Sequence, residues 1–435
     1  MRILMRASQS PFDNINPLNT LLFDKIWSNV GNLLFPFALY RNLLSEDVTI
    51  DIYDKAPPRA ADADFINENY DVLMIPLANA FRSNFANQLQ KWTELVKKVK
   101  IPCVVAGVGL QSDLDFSANS KFDFDDTVKE FCSAIASKSA CIGVRGELTY
   151  EYLKRLGFGS VTRVIGCPSM FTFGPELPQQ GNKLDSFCAG EGLRISVNSK
   201  KSDNNDTKRF LFNEDNNYIH IPQGTPELTL IYSGMPLSMQ DEKIYPVSVE
   251  NKAFLNDRER FCVNVPSWLK LLRRVDFSIG TCIHGTIAAI LSGTPAFLIA
   301  TDTRVMELAR FHNIPYKMGS EFDFSKSIRE VYEETDFTTI YKGHKERYEN
   351  FTDFLRINGI TPVEHPNTYF DSKINSINYY EPVRNILKVS EVEAAQRLNG
   401  YLSHLQRKIN NQNRTINDLR KEKQALEDEL KKVQA

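Results

Sequence analysis

One pattern limits the fold more than any other: short, continuously apolar runs alternate with longer amphipathic stretches. From Met1 to about Met170 the apolar runs are Arg2–Arg6, Val48–Tyr53, Val72–Leu77, Cys103–Gly107, Cys141–Val144 and Val161–Ile165. Between them Leu33–Leu44, Phe85–Val99, Thr127–Ser137 and Leu148–Leu156 carry helical periodicity. A strand that is apolar at every position is buried on both faces, which requires a parallel sheet covered by helices on each side. Pro175–Gly192, rich in Pro, Gly, Gln and Asn, reads as a linker. The pattern then resumes at Leu193–Val197 and returns at Tyr218–Ile221, Lys243–Val247, Phe277–Ile279 and Ala296–Ile299, with Lys200–Lys208 read as a polar loop. The expectation is an α/β chain with two parallel-sheet domains, over residues 1–180 and 190–385. A ligand cleft is expected between them, at the carboxyl ends of the strands.

The last segment, 390–435, obeys a different rule. Leu398, Leu402, Leu405, Ile409, Gln412, Ile416, Leu419, Lys423, Leu426, Leu430 and Val433 recur at alternating steps of four and three. Such a heptad seam predicts a coiled-coil helix and a homo-oligomer, the polar Gln412 and Lys423 trading stability for register. Ser390 followed by Glu393 has the spacing of a capping box at the helix start.

Charge and cysteine usage exclude some functions. A formal net charge of -2 over 435 residues gives no basic footprint for nucleic acid. The seven cysteines (Cys103, Cys132, Cys141, Cys167, Cys188, Cys262 and Cys282) form no C-x-x-C pair and sit largely in apolar runs, which reads as free thiols of a reducing compartment. Met1–Arg6 turns polar without a signal-peptide core, and no apolar run reaches the roughly 18 residues of a membrane span. A cytoplasmic location is the expectation, with peripheral approach to the inner membrane face if the acceptor is lipid-linked. The six histidines show no metal-ligand spacing, and Gly107-Val108-Gly109 lacks the full dinucleotide fingerprint.

The most informative stretch runs from Asp276 to Pro295: Asp276-Phe277-Ser278-Ile279-Gly280-Thr281-Cys282-Ile283-His284-Gly285-Thr286, then an apolar, small-residue helix and Gly293-Thr294-Pro295. A strand ending at Gly280 and a helix beginning near Gly285 place the His284 imidazole beside free backbone N–H groups, a ready anion site. Upstream stand Gly143-Val144-Arg145-Gly146-Glu147-Leu148 and the loop Asn29-Val30-Gly31-Asn32. Together these three segments resemble the polysaccharide pyruvyl transferase family, with its R-x-H-G, V-R-(D/G)-E-L and N-x-G-(D/N) elements, from Met1 to about Tyr316. The resemblance implies a GT-B-like pair of Rossmann-like domains, the first on the acceptor side and the second on the donor side.

It also implies a reaction. The enolpyruvyl group of phosphoenolpyruvate passes to a pair of sugar hydroxyls as a pyruvate ketal, on a cell-surface polysaccharide or its lipid-linked precursor. No cofactor and no metal are called for. The donor carries a carboxylate and a phosphate, which Arg grips bidentately, and a general acid of His type suits protonation of its methylene carbon. Carried over by motif, His284 and Arg145 are the catalytic candidates. Arg145, Cys282, His284, Gly285, Thr286 and Arg304 form the donor side; Asn29, Gly31, Asn32, Gly109 and Gln111 form the acceptor side. Two departures stand out. Cys282 stands where the family's R-x-H-G element has its Arg, two residues before the His, and a neutral thiol offers neither charge nor a fork of donors. Arg304 is a candidate substitute, or else a helix-start residue paired with Glu307. Asn32 stands where many relatives have Asp, and keeps an acceptor without the charge. The alternatives are a nucleotide-sugar glycosyltransferase in the same cleft, or a non-catalytic coiled-coil assembly subunit.

Overall fold

A computed structural model of the chain describes residues 1–111, 120–181, 193–237 and 242–434. Its first half holds a parallel sheet in the order Thr49–Tyr53, Arg2–Arg6, Val72–Pro76, Cys103–Ala106. The pair Ile142–Val144 and Thr162–Val164 continues it: Val108 N donates to Gly143 O at 3.1 Å and Arg145 N to Val108 O at 3.0 Å. The period-2 side-chain rule explains why these strands read as unbroken apolar runs. Ile3, Met5, Val72, Met74, Val104 and Ala106 enter one core, while Leu4, Leu73, Ile75, Cys103 and Val105 enter another on the opposite face.

The second half repeats the plan with a five-stranded parallel sheet, Tyr218–His220, Ile195–Asn198, Phe277–Gly280, Ala296–Ala300, Tyr316–Met318. Ile195, Val197, Phe277, Ile279, Phe297 and Ile299 fill its own core. The opposite face contributes Ala296, Leu298 and Ala300, with Ile287 and Ile290 of the Ile283–Leu291 helix, to the core begun by the first sheet. One apolar body therefore joins the halves. The chain then returns to the first half. The His344–Ile357 helix buries Phe351, Phe354 and Leu355 in the shared core, Asn350 Nδ2 donates to Val164 O at 2.7 Å, and Asn367 Nδ2 donates to the carbonyls of Arg41 and Leu44, each at 2.9 Å.

Two sequence expectations need correction, and one strand is added. Lys243–Val247 is not a strand; Tyr245 and Val247 are buried by packing on the third core, without a ladder. The Lys200–Lys208 stretch leads into a helix, Asn205–Leu211, whose start is capped by Asn204 Oδ1 accepting from Thr207 N at 2.8 Å and whose buried face carries Phe210 and Leu211. The edge strand Tyr316–Met318 passed unread because it is short and carries Lys317. Of the linker, residues 182–192 lie outside the described residues, Cys188 among them.

Glu391–Gln434 is a single helix. Ser390 Oγ accepts from Glu393 N at 3.2 Å, but the Glu393 carboxylate receives Arg397 at 2.6 Å, so the cap is one-sided. The first turns dock on the body: Arg397 lies 5.1 Å over the Tyr232 ring and His404 meets Phe23 edge-on. Beyond, Ile409, Ile416, Leu419 and Leu426 are exposed. No described helix is long and apolar enough to cross a membrane.

The packing sets an acid limit on stability. Burial holds His344 and His365 at about 4 and His312 well below its ordinary range; desolvation with Arg145 and Arg304 nearby holds His284 near 4 as well. In the unfolded chain each titrates near 6.5. As pH falls from about 6.5 towards 4 the unfolded state takes up protons that the fold refuses. Each histidine then costs about 1.4 kcal/mol of stability per pH unit. Thermal unfolding from pH 7.5 to 4.5 should show a midpoint that is level above pH 7 and drops steeply below 6.5. A midpoint unchanged to pH 5 would contradict the neutral state of these four side chains.

Candidate functional site

A cleft of about 920 Å³ opens between the two sheets. Its second-half wall begins where the Phe277–Gly280 strand ends. Gly280 lies so close to the Asn198 carbonyl that no side chain fits there, and Asn198 Oδ1 accepts from Cys282 N at 2.9 Å. The turn this makes delivers Thr281, Cys282, Ile283 and His284 to the cleft wall at the head of the Ile283–Leu291 helix.

The first-half wall meets it directly. Asn29 Oδ1 accepts from Gly31 N at 2.8 Å, which folds the loop into a tight turn. A Cβ on Gly31 would stand 2.6 Å from His284 Nδ1, so the glycine is what lets the loop rest on the imidazole. Asn32 Nδ2 donates to the carbonyls of Ile26 and Trp27, at 3.1 and 3.0 Å, and ties down a segment in which Asp24, Trp27 and Ser28 all have positive φ. An ionised Asp at position 32 has no hydrogen to give these carbonyls. The amide at position 32 thus makes two bonds that a carboxylate would lose.

Positive charge gathers around the segment that leaves the Val72–Pro76 strand. Arg6 donates to Pro76 O at 3.0 Å and lies 4.4 Å over the Trp27 ring. Arg145 donates to Ala78 O. The Asn79 carboxamide turns its oxygen to Arg304 Nη1 at 2.7 Å and Arg82 Nη1 at 3.2 Å. Arg304 also pairs with Asp302, Nη2 to Oδ2 at 2.6 Å; it does not pair with Glu307, which accepts from Thr149 N at 2.8 Å. Lys200 completes the set of cations lining the cleft, against only Asp24 and Asp54 as lining carboxylates.

Burial and this charge fix the protonation states. His284 is held near 4 by desolvation first, then by Arg145 and Arg304, so the imidazole is neutral at physiological pH. Burial lowers Arg145 to about 10, still a cation at neutral pH. Burial raises the Cys282 thiol to about 12, so it contributes no charge. Among the described residues no group of His, Cys, Asp or Glu stands ready to hold a metal ion.

The structure thus brings together Arg145, Cys282, His284, Arg304, Asn29, Gly31 and Asn32. Four sequence candidates lie elsewhere. Gly109 packs under the Arg145 side chain, whose guanidinium leaves no room for a Cβ. Gln111 lies beyond Asn79, its side chain against the carboxamide. Gly285 faces Gln223 and Asn198, and Thr286 is fully buried behind the first turn. Arg6, Arg82, Lys200 and Gln223 line the cleft but went unread, because no motif contains them.

A family model described as polysaccharide pyruvyl transferase matches residues 29–303. No curated protein sequence matches the chain. Among solved structures, a UDP-N-acetylglucosamine 2-epimerase from Rickettsia bellii is 13% identical over 87% of this chain and 99% of its own, with a TM-score of 0.40. A putative UDP-N-acetylglucosamine 2-epimerase from Listeria monocytogenes is 10% identical over 87% and 98%, at 0.42. MurG from Acinetobacter baumannii is 9% identical over 86% and 99%, at 0.33.

The contact of Gly31 with His284 makes a direct test. Gly31→Ala forces a methyl into a filled interface and should cost about 1–3 kcal/mol, the usual range for overpacking. Chemical denaturation of the variant and parent measures it. Equal midpoints would mean that the loop does not rest on the imidazole.

Proposed function

The chain belongs to the polysaccharide pyruvyl transferase family, a family of transferases, and from that premise we propose that it moves the enolpyruvyl group of phosphoenolpyruvate onto two hydroxyls of a sugar as a ketal. The acceptor is a cell-surface polysaccharide or its lipid-linked precursor, met in the cytoplasm or at the inner membrane face. The observation that carries the reading is the convergence of one half-buried, neutral histidine with Arg145 and Arg304 in a single cleft.

The electrostatics suit a trianionic donor. Arg304 is already met by Asp302, but five lining cations against two lining carboxylates still leave an excess of positive charge around the imidazole that an anion relieves. A donor bringing a carboxylate and a phosphate cancels the repulsion that, with burial, keeps His284 neutral, so its pKa rises and a proton enters with the donor. The imidazolium then gives that proton to the methylene carbon, and positive charge develops on the neighbouring carbon. A sugar hydroxyl adds there and returns its proton to the imidazole. The carbon–oxygen bond to phosphate breaks, the second hydroxyl adds and its proton goes to the departing phosphate, and the products are the ketal and hydrogen phosphate. The thiol at Cys282 does not leave the cleft without cations, since Arg304, Arg82 and Lys200 remain beside Arg145.

Phosphoenolpyruvate at a hundred times its Kd should add about 2.7 kcal/mol to the parent's stability. Its affinity should rise as pH falls from 8 to 6, and less so in His284→Gln. The same variant should form ketal about 10²–10⁴-fold more slowly, the usual worth of a general acid. Stabilisation by a UDP-sugar but not by phosphoenolpyruvate would replace this reading with nucleotide-sugar transfer.

The exposed heptad seam is proposed to pair with that of a second copy. Leu402, Ile409 and Ile416 at a, with Leu398, Leu419 and Leu426 at d, favour a parallel dimer. Because residues up to His404 dock on the body, the clean truncation is after Gln406. Light scattering should give a larger particle for the full chain than for the truncated one. Equal monomeric masses would rule out self-association.

A further inference from the structure

The Ile283–Leu291 helix begins on the cleft wall without a side-chain cap and without an acidic residue in its first turn. Helix geometry leaves the N–H groups of Ile283 and His284, both on the cleft wall, without intrahelical acceptors. A second observation bears on the same spot. Gln223 lines the cleft, is 4% exposed, and its Nε2 has no hydrogen-bond partner. That nitrogen lies 2.7 Å from where a Cβ on Gly285 would stand, which sets it against the helix's first turn. The residue is fixed from behind, since its backbone carbonyl accepts from Val30 N at 2.9 Å. Leaving such a donor buried and unpaired is unfavourable, and a ligand acceptor relieves it.

Lys200 adds the charge. It lines the cleft, its Nζ donates to Thr301 Oγ1 at 3.3 Å, and its field reaches both Cys282 and Asp302. Among the described residues it forms no ion pair. First-turn amides, a carboxamide donor and an ammonium offer point-like donors from several directions, which suits a tetrahedral oxyanion. Arg145 and Arg82, held on the Ala78–Arg82 segment, present planar forks that suit a carboxylate.

We propose that Gln223 and Lys200, with the first-turn amides of the Ile283–Leu291 helix, form the subsite for the donor's phosphate and for the inorganic phosphate released. The donor then lies with its carboxylate towards Arg145 and its phosphate towards the second half. The identity of the anion rests on the phosphoenolpyruvate reading above; the subsite itself rests on the geometry.

The test titrates inorganic phosphate and oxalate, separately, into the full-length parent, Gln223→Met and Lys200→Met by calorimetry. Both variants should bind phosphate about tenfold more weakly and oxalate within twofold of the parent. Gln223→Met should keep or raise the unfolding midpoint, since it removes an unpaired buried amide. If it misfolds, Gln223→Glu serves instead, and should abolish phosphate binding. Phosphate affinity unchanged in the variants, equal losses for phosphate and oxalate, or a parent that binds no phosphate would each overturn the subsite. Ketal formation by the parent, assayed alongside, separates the two readings. Transfer activity with phosphate binding indifferent to both substitutions sinks the subsite alone. Phosphate binding lost in both variants, from a parent that makes no ketal, supports the subsite and sinks pyruvyl transfer.

Discussion

The seam between residues 24–32 and residues 223–225 holds the cleft in being. Val30 N reaches Gln223 O at 2.9 Å and Thr225 N reaches Ser28 O at 3.2 Å, while Gly31 rests on His284. These backbone contacts fix how far apart the carboxyl ends of the two sheets stand. They demand an unusual loop. Three non-glycine residues in the left-handed region are strained, and the strain is held by polar bonds: Asp24 Oδ1 accepts from Ser28 N at 2.6 Å, and Asn32 closes the other side. The shared core below makes the seam affordable, because apolar burial across both halves orders the loop before any ligand arrives.

The seam also makes the local electrostatics possible. Net charge over the chain is -2, yet five cations line one cleft. Several are steadied by bonds to the short segment from Pro76 to Arg82, so their side chains are placed before a ligand binds. Such preorganisation spares the ligand the cost of ordering long side chains. It also explains why the one histidine here is neutral. Burial and two guanidiniums act in the same direction, and only an incoming anion reverses the second of these.

Much of the fold was legible because double-sided burial writes itself as unbroken apolar runs. Val72–Pro76 and Cys103–Ala106 are buried at every position and were readable to within a residue. Tyr245 and Val247 misled because packing between loops and a sheet produces the same apolar signal as a strand. The Asn205–Leu211 helix hid behind its polar surface, although Asn204 three residues before Thr207 carried the cap. In the site, His284, Arg145 and Arg304 were within reach of motif and spacing. Gln223 and Lys200 were not, since they come from two other loops of the second half and their relevance is a matter of distance in space.

Sequence alone determined the α/β class, the two runs of alternating elements, the heptad periodicity of the tail and the motif residues His284 and Arg145, because each of these is set by neighbours along the chain. Tertiary structure decided which glycines serve the protein and which serve a ligand. Gly109 and Gly285 look like cleft residues in sequence, yet they make room for Arg145 and for Gln223 with Asn198. It also decided the charge on His284. Arg145 lies 139 positions away along the chain and Arg304 lies 20, and both reach the imidazole because Coulomb interaction and desolvation depend on separation in space and on burial, which a linear pattern does not encode.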